Sequence, residues 1–232
     1  KASEFGRVIQ LSKIFPGLVF PCFGVHPLQG FEKAPHSVRI QDLETALPLF
    51  QMYRDDIAAV GEIGFNFTPW CVSTIQECEE QLLVFVKQLE LSSELDLPVN
   101  VYSRSAAKVT ITTMKGQGTY EQPKPTRIVI YFAGRPSVAE DGLQAEYYFS
   151  FLPAVGTSHQ RAKLIKQIPL EWICLETDSP ALGPVKHVMR NEPQNLILLC
   201  EYIAKVKGIS AEIVAEVTTK IYLCLFPKLK IK

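Results

Sequence analysis

Continuous apolar runs alternate with amphipathic stretches along the whole chain. Six runs, at residues 18–25, 57–63, 98–101, 127–132, 147–152 and 172–175, are apolar on successive positions, as expected of strands covered on both faces. Helical spacing falls between them, at Ala2–Ile14 and at residues 41–53, 74–95, 105–114, 159–166, 194–205 and 210–225. Segment 74–95 is the most regular. Thr74 and Glu77 fit a capping box there, and Leu82, Phe85, Val86 and Leu89 fall on one helical face. Pro48 has no N–H to give the helical ladder and is expected to kink segment 41–53.

Strands alternating with helices imply a parallel sheet with right-handed crossovers. An open doubly wound sheet and a TIM-type (β/α)₈ barrel both satisfy that order. No Gly-rich dinucleotide fingerprint follows any strand, which weakens the first. Polar groups instead gather at the ends of successive strands: Gly24-Val25-His26-Pro27, Gly61-Glu62-Ile63-Gly64, Tyr102-Ser103-Arg104 and Glu176-Thr177-Asp178-Ser179-Pro180. In a barrel those ends share one mouth, so the pattern favours the barrel. Six strands are two short of eight, and a full barrel takes about 250 residues. Residues 1–25 already read as a helix leading into a strand, so the expectation is one barrel domain over 1–232, incomplete, with its first two strands lying before Lys1. The runs at 18–25 and 172–175 would then each present an unpaired apolar edge, which Pro21 blunts on the first.

Charge and cysteine narrow the class. Lys+Arg and Asp+Glu both number 24, so the excess of positive charge that marks a strongly basic nucleic-acid binder is absent. Lys228, Lys230 and Lys232 read as a solvated, frayed tail. None of the six cysteines forms a CxxC pair, which argues against a thiolate zinc site. Cys22, Cys174 and Cys200 lie in apolar runs and read as small core hydrophobes in a reducing environment. No signal peptide opens the chain and no apolar stretch approaches membrane-spanning length, so the expectation is an intracellular protein, cytoplasmic or nuclear, with no membrane partner.

The candidate chemistry sits at the strand ends. Glu62 follows an apolar run and reads either as a metal ligand or general base or as a loop-capping carboxylate. Glu176 and Asp178 close another run, where strand alternation places them on one side, while Asp178 before Ser179-Pro180 also suits a turn. His26 reads as a ligand or a loop hydrogen-bonder. His36, His159 and His187 carry no spacing signal, and neither H-x-H nor H-x-x-x-H occurs. No Gly-x-Ser-x-Gly elbow points to a nucleophilic serine.

Taken in order, the strand-end strings resemble the TatD family of metal-dependent deoxyribonucleases. Added to those above are Leu97-Pro98-Val99-Asn100-Val101, Gly134-Arg135-Pro136-Ser137-Val138-Ala139, the continuation Ala181-Leu182-Gly183-Pro184, Arg190-Asn191-Glu192-Pro193 and Val206-Lys207-Gly208-Ile209-Ser210. The resemblance covers essentially the whole chain, and Glu176-Thr177-Asp178-Ser179-Pro180 is its most specific string. It implies a (β/α)₈ barrel of the metal-dependent hydrolase superfamily, DNA as substrate, a divalent cofactor (Mg²⁺, Mn²⁺ or Zn²⁺), and a monomer once the barrel is complete. Two ions in such a site clamp the attacking and leaving oxygens of a phosphodiester.

Transferred position by position, the ligand set is depleted. The family's H-x-H pair is absent from the chain. Its glutamate is Glu62 and its aspartate Asp178. Its histidine after Leu-Pro-Val falls on Tyr102, the histidine of its H-x-F-x-G string on Ile130, and an acidic residue on Asn66. A neutral imidazole gives a lone pair to a borderline cation. An aliphatic side chain has none, and a phenol with pKa of about 10 rarely binds as phenolate. The resemblance therefore implies a phosphodiester hydrolase whose activity is impaired or lost. The alternatives are an active hydrolase with one ion on Glu62 and Asp178, or a non-catalytic binding or scaffold protein. In the active alternative Asp178 would orient or deprotonate water, and His26 and Arg104 would contact phosphate.

Overall fold

The computed structural model describes residues 2–30, 35–117, 127–153, 159–183 and 190–229. They fall into two units, Lys1–Ile128 with Leu225–Lys232, and Val129–Cys224. His187, Pro184, Lys230 and Lys232 lie outside the described residues.

The first unit is built in chain order from α1 (Ala2–Ile14), β1 (Cys22–Phe23), β2 (Leu28–Gln29), β3 (His36–Ser37), α2 (Ile40–Met52), β4 (Ala59–Asn66), α3 (Ile75–Glu94), β5 (Val99–Arg104) and α4 (Ala107–Lys115). β1 runs parallel to β4 with Phe23 opposite Val60, and β4 parallel to β5 with Gly64 opposite Tyr102 and Asn66 opposite Arg104. An aromatic cluster seals α1 and α2 onto β1. Phe5 stacks on Phe23 at 3.9 Å between ring centres, and Phe50 and Tyr53 meet Phe23 edge-on. Such offset and edge-to-face contacts add to the apolar area these rings bury.

Several features differ from the sequence reading here. Only Cys22–Phe23 of the run 18–25 is strand, and Leu18 is 80% exposed. Alternation on β1 aims Phe23 into the aromatic cluster, so Cys22 is exposed, whereas Cys174 and Cys200 are buried as expected. A short antiparallel pair, β2 with β3, follows His26. Two residues per strand are too few to show a period. Lys228 is no frayed tail: its Nζ donates to the carbonyls of Arg54, Asp55 and Ile57 at 3.1, 3.3 and 2.7 Å. These carbonyls follow the end of α2, where a cation suits both the open acceptors and the helix dipole.

The Thr74–Glu77 capping box forms as expected, with Thr74 Oγ1 accepting from Glu77 N and the Glu77 carboxylate accepting from Thr74 N. The buried face of α3 keeps Phe85 and Leu89 of the expected stripe but is rotated away from Leu82, with Val86 half-buried. Leu82 is 40% exposed, while Gln81, Val84, Phe85, Gln88 and Leu89 are buried. The two glutamines turn inward because each bonds both main-chain groups of one residue, Val25 beyond the end of β1 and Asn66 at the last position of β4. Gln88 Oε1 accepts from Val25 N at 2.7 Å and its Nε2 donates to Val25 O at 3.1 Å. Gln81 does the same for Asn66, at 2.9 and 3.2 Å. Buried N–H and C=O groups must be satisfied, and seven residues bring a helix round to the same face. The chain segments beyond β1 and at the end of β4 are thus held by side chains of one helix.

The second unit holds β6 (Ile128–Phe132), α5 (Pro136–Leu143), β7 (Tyr148–Phe151), α6 (His159–Gln167), β8 (Ile173–Leu175), α7 (Leu196–Lys207) and α8 (Ala211–Leu225). Its strands are parallel, with Ile130 opposite Phe149 and Phe151 opposite Leu175. Helix α5 was missed in the sequence. It is eight residues long and contains Gly142, and its one signal is Pro136 at the first helical position. Gly208, with φ +69°, ends α7 in the left-handed conformation common after a helix. Among the described residues no helix is long and apolar enough to cross a membrane.

Candidate functional site

In the first unit the strand-end residues His26, Glu62, Tyr102, Arg104 and Asn66 are arranged as follows. Glu62 does not close its strand. β4 continues to Asn66, and Glu62 sits at an irregularity where three steps on β4, from Val60 to Ile63, match two on β5, from Val99 to Val101. Such an extra residue re-aims a side chain, and Glu62 is half-buried between neighbours that are fully buried. Gly24 makes room for it. A Cβ there would come within 2.6 Å of the Gly61 carbonyl carbon and 2.9 Å of Glu62 N, so only glycine lets the chain after β1 lie against this peptide.

His26 follows directly. Its Nε2 is 3.9 Å from Glu62 Oε2, with the two side chains 20% and 32% exposed. Its Nδ1 lies 3.0 Å from Leu28 N and 3.1 Å from Leu28 O, and the tautomer decides which bond forms. Burial pushes the imidazole down to about 4, against a smaller opposing effect of the Leu28 main chain. His26 is therefore neutral at pH 7, and any anion it meets is held by a hydrogen bond rather than by charge. Tyr102 lies with its ring tilted against His26 at 4.6 Å between centres. The exposed Arg104 guanidinium approaches the Tyr102 hydroxyl at 3.5 Å. Asn66 is wholly buried and organises the loop beyond β4, its Oδ1 accepting from Thr68 N at 3.0 Å.

In the second unit Ile130 is buried in mid-β6, with no polar atom to offer. β8 ends at Leu175, so strand alternation does not reach Glu176 and Asp178. The expectation that they share a face by alternation fails for that reason. Glu176 is half-buried, and loss of solvent around it pushes its carboxyl up to about 7. The nearby Ser150 hydroxyl opposes that rise only in part and lies outside hydrogen-bonding geometry, and the negative charge of Asp178 adds to it. Asp178 is exposed, in the left-handed region at φ +60°. Asparagine and aspartate adopt that region more readily than other non-glycine residues. The loop around it is tied to Asn191, a residue the sequence reading quoted in a string without assigning it a role. His36 bonds its own neighbour, Ser37 O, at 2.9 Å, and His159 begins α6.

The family resemblance implies a dinuclear metal centre. Among the described residues no group of three or more His, Cys, Asp or Glu side chains is placed to hold a metal ion. At the two positions where imidazoles are expected, one unit offers a phenol packed on a histidine and the other a buried aliphatic chain. The residues present do not fit a two-ion centre of the ordinary kind.

The profile of the TatD related DNase family matches residues 1–227. The Danio rerio tatdn3 protein is 64% identical over 99% of this chain and 84% of its own length. The human deoxyribonuclease TATDN3 is 48% identical over 99% of this chain and 82% of its own. Among solved structures, that of YJJV, a TatD homologue from Escherichia coli, superposes with a TM-score of 0.79 at 23% identity, covering 97% of this chain and 83% of that one. That likeness establishes the α/β fold, of the TIM-barrel type expected from the strand–helix order.

Proposed function

Because the chain belongs to the TatD-related DNase family, we propose that it is a DNA-directed phosphodiester hydrolase by descent whose metal-dependent turnover is impaired or lost. Glu62 and Asp178 are the carboxylates it keeps from the family set, and Asp178 is the group for acid–base work on water. Arg104 and His26 are the contacts for phosphate, the first through charge and the second through a hydrogen bond. The observation that carries the reading is the phenol of Tyr102 packed against His26 at 4.6 Å, where the family resemblance calls for an imidazole. Rotation of that ring supplies no neutral nitrogen lone pair to a cation.

A nuclease assay tests this. Single- and double-stranded DNA are incubated with the chain in saturating Mg²⁺ or Mn²⁺, beside a Glu62→Gln/Asp178→Asn double variant and the human relative. Loss even of groups that merely orient metal ligands costs about 10–100-fold. The wild-type rate is therefore expected to fall more than about 100-fold below the relative and close to the double variant. Turnover well above the double variant would reject the reading and favour an active hydrolase.

A further inference from the structure

We propose that Asn191 is the positioning residue for Asp178, an inference that rests on reading Asp178 as the retained acid–base carboxylate. β8 stops three residues before Asp178, so no strand ladder fixes the main chain there. Within the loop itself, Ala181 N donates to Asp178 O at 2.8 Å, and Ser179 bonds the Thr177 hydroxyl. Glu176 N donates to Phe151 O at 3.1 Å at the start of the loop, and three further bonds run to Asn191. Asn191 Nδ2 donates to Thr177 O and, at 3.1 Å, to Leu182 O, while Asn191 N donates to Pro180 O at 2.9 Å. Carbonyls on both sides of Asp178 thus converge on a single side chain that is 2% exposed.

The opposite end of the amide is also occupied. Asn191 Oδ1 accepts from Glu192 N at 2.9 Å and from Asn195 Nδ2 at 2.8 Å, which anchors it to the turn that starts α7. Both donor hydrogens and the acceptor are in use, so Asn191 has no capacity left for substrate. Its chemistry is to hold the loop in which Asp178 keeps its left-handed backbone. The residue type is constrained. Aspartate would put one carboxylate oxygen, an acceptor, where Nδ2 now donates to two carbonyl oxygens, and serine offers one donor where two are used.

The test compares Asn191→Asp, Asn191→Ser and Asn195→Ala with the wild-type chain by amide hydrogen exchange and by the backbone carbon shifts of Asp178. Thr218→Val serves as the control, because Thr218 is buried in α8 and bonds only within that helix, to Val214 O and Ala215 O. In both Asn191 variants the Ala181 amide is expected to exchange at least about tenfold faster, since both side-chain hydrogen bonds to the loop carbonyls are weakened or lost. The Asp178 shifts should leave their left-handed values. Asn195→Ala should move both readouts the same way by less, and Thr218→Val should move neither, whatever it does to the melting temperature. Unchanged Ala181 exchange and Asp178 shifts in the Asn191 variants would overturn the inference, as would an equal change in Thr218→Val. Neither readout needs turnover, so an active enzyme would reject the impaired-hydrolase reading without deciding the role of Asn191.

Discussion

Gly64→Ala is expected to destabilise the fold strongly. Gly64 has φ +139°, a backbone region that residues bearing a Cβ scarcely enter. A Cβ placed there would overlap the Tyr102 carbonyl oxygen on the facing strand. Relief would need movement of β4 or β5, because the obstacle is backbone rather than a flexible side chain. Backbone strain of about 1–3 kcal/mol adds to overpacking of about 1–3 kcal/mol. The sum is a large share of the roughly 5–15 kcal/mol that holds a domain folded. At about 2–4 °C per kcal/mol for a chain of this size, a melting temperature lower by about 4–24 °C is expected from circular dichroism. Gly6→Ala is the control, since nothing lies within 4 Å of its added Cβ and the site is helical. It should be neutral or stabilising by about 0.5–1 kcal/mol. Equal melting temperatures for the two variants would refute the argument.

Gln88→Leu should be the second large loss. Leucine keeps the helix and most of the volume but leaves Val25 N–H and C=O buried with no partner from α3. Each orphaned group costs about 1–3 kcal/mol, which suggests a total of about 2–6 kcal/mol by urea denaturation. The expectation is asymmetric with Leu82→Gln, one turn and a half away on the exposed side of the same helix. There an apolar residue is exchanged for a polar one at a cost within about 0.5 kcal/mol. A conventional reading of hydrophobic positions on α3 predicts the opposite order, so the pair of variants discriminates between the two views.

The same helix shows what could be read from the chain and what could not. The parallel α/β fold was legible because buried parallel strands are apolar on both faces, and short apolar runs alternated with longer amphipathic stretches along the chain. Thr74 and Glu77 were legible because a capping box is local chemistry. Gln81 and Gln88 were not, since their value lies in bonds to Asn66 and Val25, 15 and 63 residues away. Glu62 was recognised as a candidate, but its place in mid-strand was hidden by an irregularity that only the pairing of β4 with β5 reveals. Asn191 stood in a quoted string, yet nothing in that string tells of carbonyls at 177 and 182 that bond to it. Lys228 was misread as tail because its three carbonyl acceptors, on Arg54, Asp55 and Ile57, are more than 170 residues away.

On the proposed reading, Tyr102 and Ile130 stand where the family carries imidazoles, and both positions are legible in the strand-end strings. Counting divalent ions on the purified chain tests that substitution most directly, by calorimetry with Mn²⁺ and by anomalous scattering from Mn²⁺-soaked crystals. Weak binding with no ordered pair of ions is expected, and Tyr102→His with Ile130→His should strengthen it. Two well-ordered Mn²⁺ ions bound to the unaltered chain through Glu62 or Asp178 would contradict the account.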